Sequence, residues 1–336
     1  MSSQPFSKMI EAASAEELID RAFREAMKAG ADIPERAPPI VKARRREEAR
    51  VRKAASIISR HLRKLLKRTP SLERIPPFYA SLLELVASKE RVKQALKKLA
   101  RTMRIVGEIE RESIRKIRRV QDPLEAAKIR KAAFGRMASL LRDADEELAL
   151  LREIRAKLKD VPSIDVEKPA AIIAGYPGVG KSTIVQGIST AKPKIGSYPF
   201  TTKEIILGHL KLKDDLMLQV VDTPGLLDRP LSERNRIELQ AIAALKHLKG
   251  VIVFVVDAAE ANGFTLEQQC SLLREIKKMF PEKPIITVLN KVDLATKDKL
   301  ERAYKLFEKI DLETVASEGI GLRELLNLVI KTLGLS

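Results

Sequence analysis

Gly175-Tyr-Pro-Gly-Val-Gly-Lys-Ser182 spells G-x-x-x-x-G-K-S between an apolar run and a helical segment. Glycines at Gly175, Gly178 and Gly180 let main-chain N–H groups close around an anion, with Pro177, Val179 and Thr183 completing the cradle. The helix that follows adds a dipole favourable to phosphate. Lys181 is placed to reach the terminal phosphates and Ser182 to ligate Mg²⁺. Asp222-Thr-Pro-Gly225 ends another apolar run about forty residues on. There the Asp222 carboxylate can hold the metal through water, and the Gly225 N–H can sense the terminal phosphate. Between them lies Pro199-Phe-Thr-Thr202, where Thr202 is expected to order on Mg²⁺ and the γ-phosphate while Thr201 caps the next strand.

The base is chosen elsewhere. Asn290-Lys-Val-Asp293 offers a carboxylate that can accept from both the ring N–H and the exocyclic amine of guanine, a donor pair that adenine lacks. Asp293 is therefore the expected discriminator, with Lys291 packed along the base face and Asn290 tying this loop to the phosphate loop. A second elbow, Val315-Ala-Ser-Glu-Gly319, sets the Ala316 N–H, with Ser317 beside it, against the guanine carbonyl oxygen. Lys181, Thr202 and Gly225 are the candidate catalytic groups, and Ser182, Thr202 and Asp222 the candidate Mg²⁺ set. Four ordered motifs make GTP the expected nucleotide.

These loops need parallel strands to hold them. Apolar runs at 170–174, 216–221, 251–256 and 285–289 alternate with helical segments, which predicts an α/β domain over 170–336 with a mostly parallel sheet and helices on both faces. Residues 160–169 break the helical period and read as a linker. Residues 1–159 read as helix throughout, an all-α bundle. Ser14-Ala-Glu-Glu17 is a capping box and Pro38-Pro39 precedes a long basic helix that stops before Thr69-Pro70. An apolar helix follows Pro76-Pro77, Ser88 caps the next, and Asp122-Pro123 begins one running to about Leu158.

The chain of 336 residues carries 63 Lys and Arg against 45 Asp and Glu, a net charge of +18. Residues 1–168 hold 40 of those bases against 25 acids, and residues 169–336 hold 23 against 20. The stretch from Arg36 to Arg68, with Arg44, Arg45 and Arg46 near its start, has 13 bases. Such an excess implies a polyanionic partner for the helical half. One cysteine, Cys270, excludes a disulfide framework, and three scattered histidines offer no metal cluster. With no signal-peptide pattern and no apolar run near the length of a membrane span, a cytoplasmic monomer is expected.

The order G-Y-P-x-V-G-K-S, Y-P-F-T-T-K (Tyr198–Lys203), D-T-P-G-L-L-D-R-P-L-S-E-R-N (Asp222–Asn235) and N-K-x-D resembles the Obg/Era branch of translation-factor GTPases. Within it, the match is to the nucleolar GTP-binding protein 1 family and its archaeal relatives. That resemblance implies GTP hydrolysis coupled to assembly of the large ribosomal subunit, with pre-ribosomal RNA and proteins as partners. Two positions depart from the family pattern. Gly178 replaces an Asn that helps hold a monovalent cation in potassium-activated relatives, which puts potassium stimulation in question. Val315 replaces the serine of the guanine elbow, at the loss of one supporting hydrogen bond.

Ras-like hydrolases orient the attacking water with a Gln just after the D-x-x-G glycine. Leu226 stands there and cannot do so. Slow intrinsic turnover is expected, with the missing part supplied by a partner or by a metal-bound water. Arg229, Arg234 and Arg236 are positioned to bind a partner or, less commonly, to act as an arginine finger in cis. A static RNA-binding factor and a membrane-surface GTPase are the rival readings.

Overall fold

The computed structural model describes residues 4–30, 36–190, 194–197, 204–212, 216–222, 226–230 and 233–335. The chain divides into two compact units. One comprises Lys8–Arg74 and Val86–Lys159, and the other Met1–Ser7, Ile75–Leu85 and Asp160–Ser336.

The first unit is helical. Helix α1 (Ala15–Met27) begins with the expected capping box, Ser14 and Glu17 satisfying each other's backbone N–H groups. Helix α2 (Pro39–Arg68) buries Ala43, Val51, Ala54, Ile58, Leu62 and Leu65, an apolar stripe at three- and four-residue spacing. Beyond α3, which belongs to the other unit, α4 (Lys89–Arg119) is capped by Ser88 and buries Val92, Leu99, Val106, Ile109 and Ile117. Sequence periodicity predicts one helix from Pro123 to about Leu158, but there are two, α5 (Pro123–Asp143) and α6 (Asp145–Leu158), broken at Ala144. Asp145, Glu146 and Glu147 explain the break. Three acids in mid-helix gain nothing, whereas at a helix N-terminus they meet the positive end of the dipole. Asp145 also accepts from the Ala15 N–H at 2.8 Å.

The second unit is a three-layer α/β fold. Among the described residues its sheet has seven strands in the order β2-β3-β4-β1-β5-β6-β7. Strands β1 (Ala170–Ala174), β4 (Met217–Asp222), β5 (Gly250–Asp257), β6 (Ile285–Asn290) and β7 (Leu312–Thr314) run parallel. Strands β2 (Lys194–Ser197) and β3 (Glu204–Lys211) add an antiparallel edge. Buried on both faces, β1 and β5 are continuously apolar, as central parallel strands must be. Helices α7 (Lys181–Ile188), α8 (Arg236–Ala243), α9 (Leu266–Met279), α10 (Lys297–Leu306) and α11 (Leu322–Thr332) complete the layers.

Helix α3 (Pro77–Glu84) sits with this unit, although the sequence grouped it with the helical half. Phe78, Tyr79 and Leu82 are fully buried, and Ser81 Oγ lies 3.0 Å from His247 Nε2. Residues 160–169 are likewise no loose connector. Val161, Ile164 and Val166 are buried, the Tyr79 hydroxyl accepts from the Ile164 N–H at 2.9 Å, and Gln219 clasps both backbone groups of Asp165. The physical reason is composition: an apolar octet such as α3 must bury itself, but periodicity does not say against what.

Candidate nucleotide-binding site

The parallel strands deliver their polar residues at one end of the sheet. Asp222, Asp257 and Asn290 each terminate a strand, and the phosphate loop springs from β1 between β4 and β5. Strand order reverses at β1, so this is the crevice where open α/β sheets take their ligands.

The loop's shape depends on its glycines. Gly175, Gly178 and Gly180 have φ of 132°, 78° and 102°. A Cβ on Gly180 would lie 2.3 Å from Asn290 Nδ2, and one on Gly175 equally close to the Val255 carbonyl oxygen. The Gly175 N–H donates to Leu227 O at 2.9 Å, which fastens the loop to the segment after β4.

Lys181 is buried at the start of α7, its Nζ donating to the Gly175 and Tyr176 carbonyls at 2.7 and 2.8 Å. Burial holds its pKa below the ordinary lysine value, and Asp222 and Asp228 pull only partly the other way. A buried ammonium satisfied by neutral carbonyls is poised to exchange them for a phosphate, which would restore the charge balance. Ser182 Oγ donates to Asp222 Oδ2 at 2.9 Å. Two hard oxygen donors brought together from positions forty residues apart fit Mg²⁺, which takes one or two protein ligands and keeps its waters.

Asn290 joins the two halves of the site. Its Nδ2 donates to Val179 O at 2.8 Å, and its Oδ1 accepts from the Ala316 N–H at 3.0 Å and from Thr314 Oγ1 at 2.9 Å. The predicted tie between base loop and phosphate loop is thus present, and the same amide also holds the guanine elbow. Asp293 and Ser317 are exposed, and Ala316 is buried. A cavity of about 720 Å³ bordered by Thr183, Ala316, Ser317 and Arg323 opens between α7 and α11. Thr201, Thr202 and Gly225 lie outside the described residues.

Leu226 is fully buried, so the residue at the Ras glutamine position faces the core. Arg234 is also turned inward. Its guanidinium donates to Leu226 O at 2.9 Å and to Asp228 at 3.1 Å, and the cis-finger expectation fails for this residue. Arg229 pairs with Glu238 at 3.3 Å. In the helical unit, Arg44 is half-buried and engaged at the end of α4, its Nε donating to Val120 O at 2.8 Å.

Sequence reasoning missed Asp257, Asn262, Gln269 and Thr314. A signal existed for the first, because Asp257 ends an apolar strand as Asp222 and Asn290 do, and is paired in register with Asn290.

A phosphate loop at a sheet crossover, bound through one buried asparagine to an N-K-x-D loop, defines a guanine-nucleotide-binding protein of the P-loop class. Residues 6–165 match the NOG1 N-terminal helical domain, and residues 236–293 match the nucleolar GTP-binding protein 1 model. The uncharacterised protein MJ1408 of Methanocaldococcus jannaschii is 40% identical over 298 residues, covering 88% of this chain and 83% of that one. The Drosophila melanogaster nucleolar GTP-binding protein 1 is 33% identical over 300 residues, 89% of this chain and 46% of its own length. A crystal structure of a Plasmodium falciparum chain bearing the same family name aligns at 32% identity and a TM-score of 0.45, covering 52% of this chain and 90% of that one. The chain belongs to the nucleolar GTP-binding protein 1 family. It spans less than half the length of the curated relatives that carry that name, 46% in Drosophila and 38% in Saccharomyces cerevisiae.

Proposed function

We propose that this GTP-binding protein hydrolyses GTP and uses the cycle to engage and leave assembling large ribosomal subunits, with its helical unit on pre-ribosomal RNA. The observation that carries the nucleotide part is Asn290, whose one side chain joins the phosphate loop, the base loop and the guanine elbow. In this reading Lys181 moves from the Gly175 and Tyr176 carbonyls onto the terminal phosphates, and Asp293 accepts from guanine. Ser182, Asp222 and Thr202 would hold Mg²⁺, which when bound would neutralise negative charge on the phosphates. Thr202 and the Gly225 N–H would read the γ-phosphate, so that GTP and GDP are distinguished. The RNA part rests on the charge of the helical half and on the family name.

Leu226 is buried and Arg234 is turned inward, so neither of these side chains is placed to orient water. Intrinsic turnover is therefore slow and a partner completes the site. The same observation favours a second reading, a static assembly factor that binds GTP without turning it over. Single-turnover hydrolysis with and without large ribosomal subunits separates the two: stimulation supports the switch, and none supports the static factor. Among the described residues no helix is long and apolar enough to cross a membrane.

A further inference from the structure

Asp257 is fully buried at the end of β5, where an ionised carboxylate is costly unless several donors meet it. They do. Oδ1 accepts from the Ala259 N–H at 3.0 Å, and Oδ2 from the Asn262 N–H at 3.1 Å and from Lys291 Nζ at 2.8 Å. Gln269, also buried, locks the backbone of Asp257, accepting from its N–H at 2.8 Å and donating to its carbonyl at 3.3 Å. The loop that this carboxylate folds then reaches the phosphate loop twice. Asn262 Nδ2 donates to Pro177 O at 3.2 Å, and the Phe264 ring stacks on Tyr176 with centroids 4.1 Å apart.

Among the described residues, the non-glycine positions with positive φ are Glu260 at 56° and Lys291 at 61°. Both belong to the two loops that Asp257 clamps. Left-handed backbone at a side-chain-bearing residue persists only where its surroundings over-determine it, and it concentrates at ligand clamps. Lys291 is thus held at both ends, its backbone by the turn and its ammonium by Asp257.

We infer that Asp257 is the positioning residue for Lys291, and that the segment 257–264 is a brace fastening the base loop to the phosphate loop. The inference rests on the guanine-nucleotide reading of the site. Lys291 packs along the base without reading its edge, so the brace sets how long any such purine stays, whereas Asp293 sets which purine is preferred.

The test is release of fluorescent GDP and IDP from the full chain, with the melting temperature taken on the same samples. Asp257→Asn keeps the shape and removes the charge, and it should accelerate release of both nucleotides about tenfold with their ratio unchanged. Asp293→Asn should alter that ratio. In a Lys291→Ala background, Asp257→Asn should add far less than tenfold, only what its grip on the Ala259 and Asn262 N–H groups contributes. Unchanged release, or a tenfold acceleration that persists without Lys291, overturns the positioning role, the latter because a merely structural aspartate acts in both backgrounds. Should Asp257→Asn not fold, Asn262→Ala probes the brace from its exposed end. Release about threefold faster at an unchanged melting temperature supports the brace, and unchanged release overturns it. A wild-type chain that binds no guanine nucleotide removes the nucleotide reading and this inference together. A wild type that binds beside an unaffected variant removes the inference alone.

Discussion

The two units bury charge differently. In the α/β unit both signs turn inward: Lys181 and Arg234 are buried together with Asp222, Asp228 and Asp257, and the half-buried Lys291 pairs with Asp257. In the helical unit the buried charges among the described residues are anions. Glu47 is 1% exposed and ringed by Arg46, Arg50 and Arg130, and Glu147 is held by Lys98 and Arg91. Turning acids inward leaves bases outside, so α2 presents Lys53, Arg60, Arg63, Lys64, Lys67 and Arg68 to solvent along a rod about 45 Å long. One unit sets charges of both signs against each other around one small site. The other spreads positive charge along the outward face of a long helix. Net charge alone does not distinguish these arrangements; burial does.

The contrast breaks most severely at Lys181. Lys181→Ala removes the phosphate ligand and should weaken GTP binding by about 3–5 kcal/mol in a calorimetric titration, since charge-assisted contacts to phosphate are lost. Helical content by circular dichroism should not change, and loss of the helical signal would show that the units are not separable. Next is Glu47→Gln, which strands Arg50 and Arg130 in a half-buried site. We expect a loss of about 2–4 kcal/mol in denaturant unfolding of the helical unit, with nucleotide affinity untouched. A smaller effect should follow from Arg63→Ala, Lys64→Ala and Lys67→Ala together. Affinity for large-subunit RNA should drop similarly for all sequences, and its log–log salt slope should flatten by up to about three phosphate contacts. An unchanged slope would move the RNA site off α2.

The smallest effect concerns His61, which accepts from the Ala13 N–H at 3.2 Å. Burial, with Arg21 and Lys64 nearby, lowers its pKa from 6.5 to about 4. The unfolded chain therefore binds the extra proton first as pH falls. Stability contributed here is complete above pH 6.5 and is lost as the pH drops toward 4. His61→Gln should shrink the fall in melting temperature between pH 7 and pH 4.5, and an equal fall in both proteins would exclude this linkage.

Some of this was readable in the residues. The phosphate loop and the N-K-x-D loop were legible because their chemistry is carried by spacing within a few residues, and strands β1, β4, β5 and β6 because buried parallel strands are apolar throughout. Asn290 was legible as a tie, though not its grip on Thr314 and Ala316. Asp257 was not, since a lone acid after an apolar run gains its meaning only from Lys291 and Asn262, neighbours in space. Charge composition pointed to Arg44–Arg46, yet Arg44 is occupied with a helix end and Arg46 with Glu47. Strand β3 was foreseen only as the strand that follows Thr201, and β2, a four-residue strand at the sheet edge, was missed.

Helix α3 has a consequence for how the protein is made. Synthesis proceeds from the N-terminus at roughly 5–20 residues per second. Its hydroxyl partners lie far downstream: Pro162 and Ile164 come 83 and 85 residues after Tyr79, and His247 comes 166 after Ser81. Phe78, Tyr79 and Leu82 therefore wait roughly 8–30 seconds beyond the ribosome before the last of these contacts can form. During that interval the nascent chain carries an uncovered greasy octet between two soluble basic helices. Cutting the gene at 160–169 would make the wait permanent, leaving α3 on the wrong fragment.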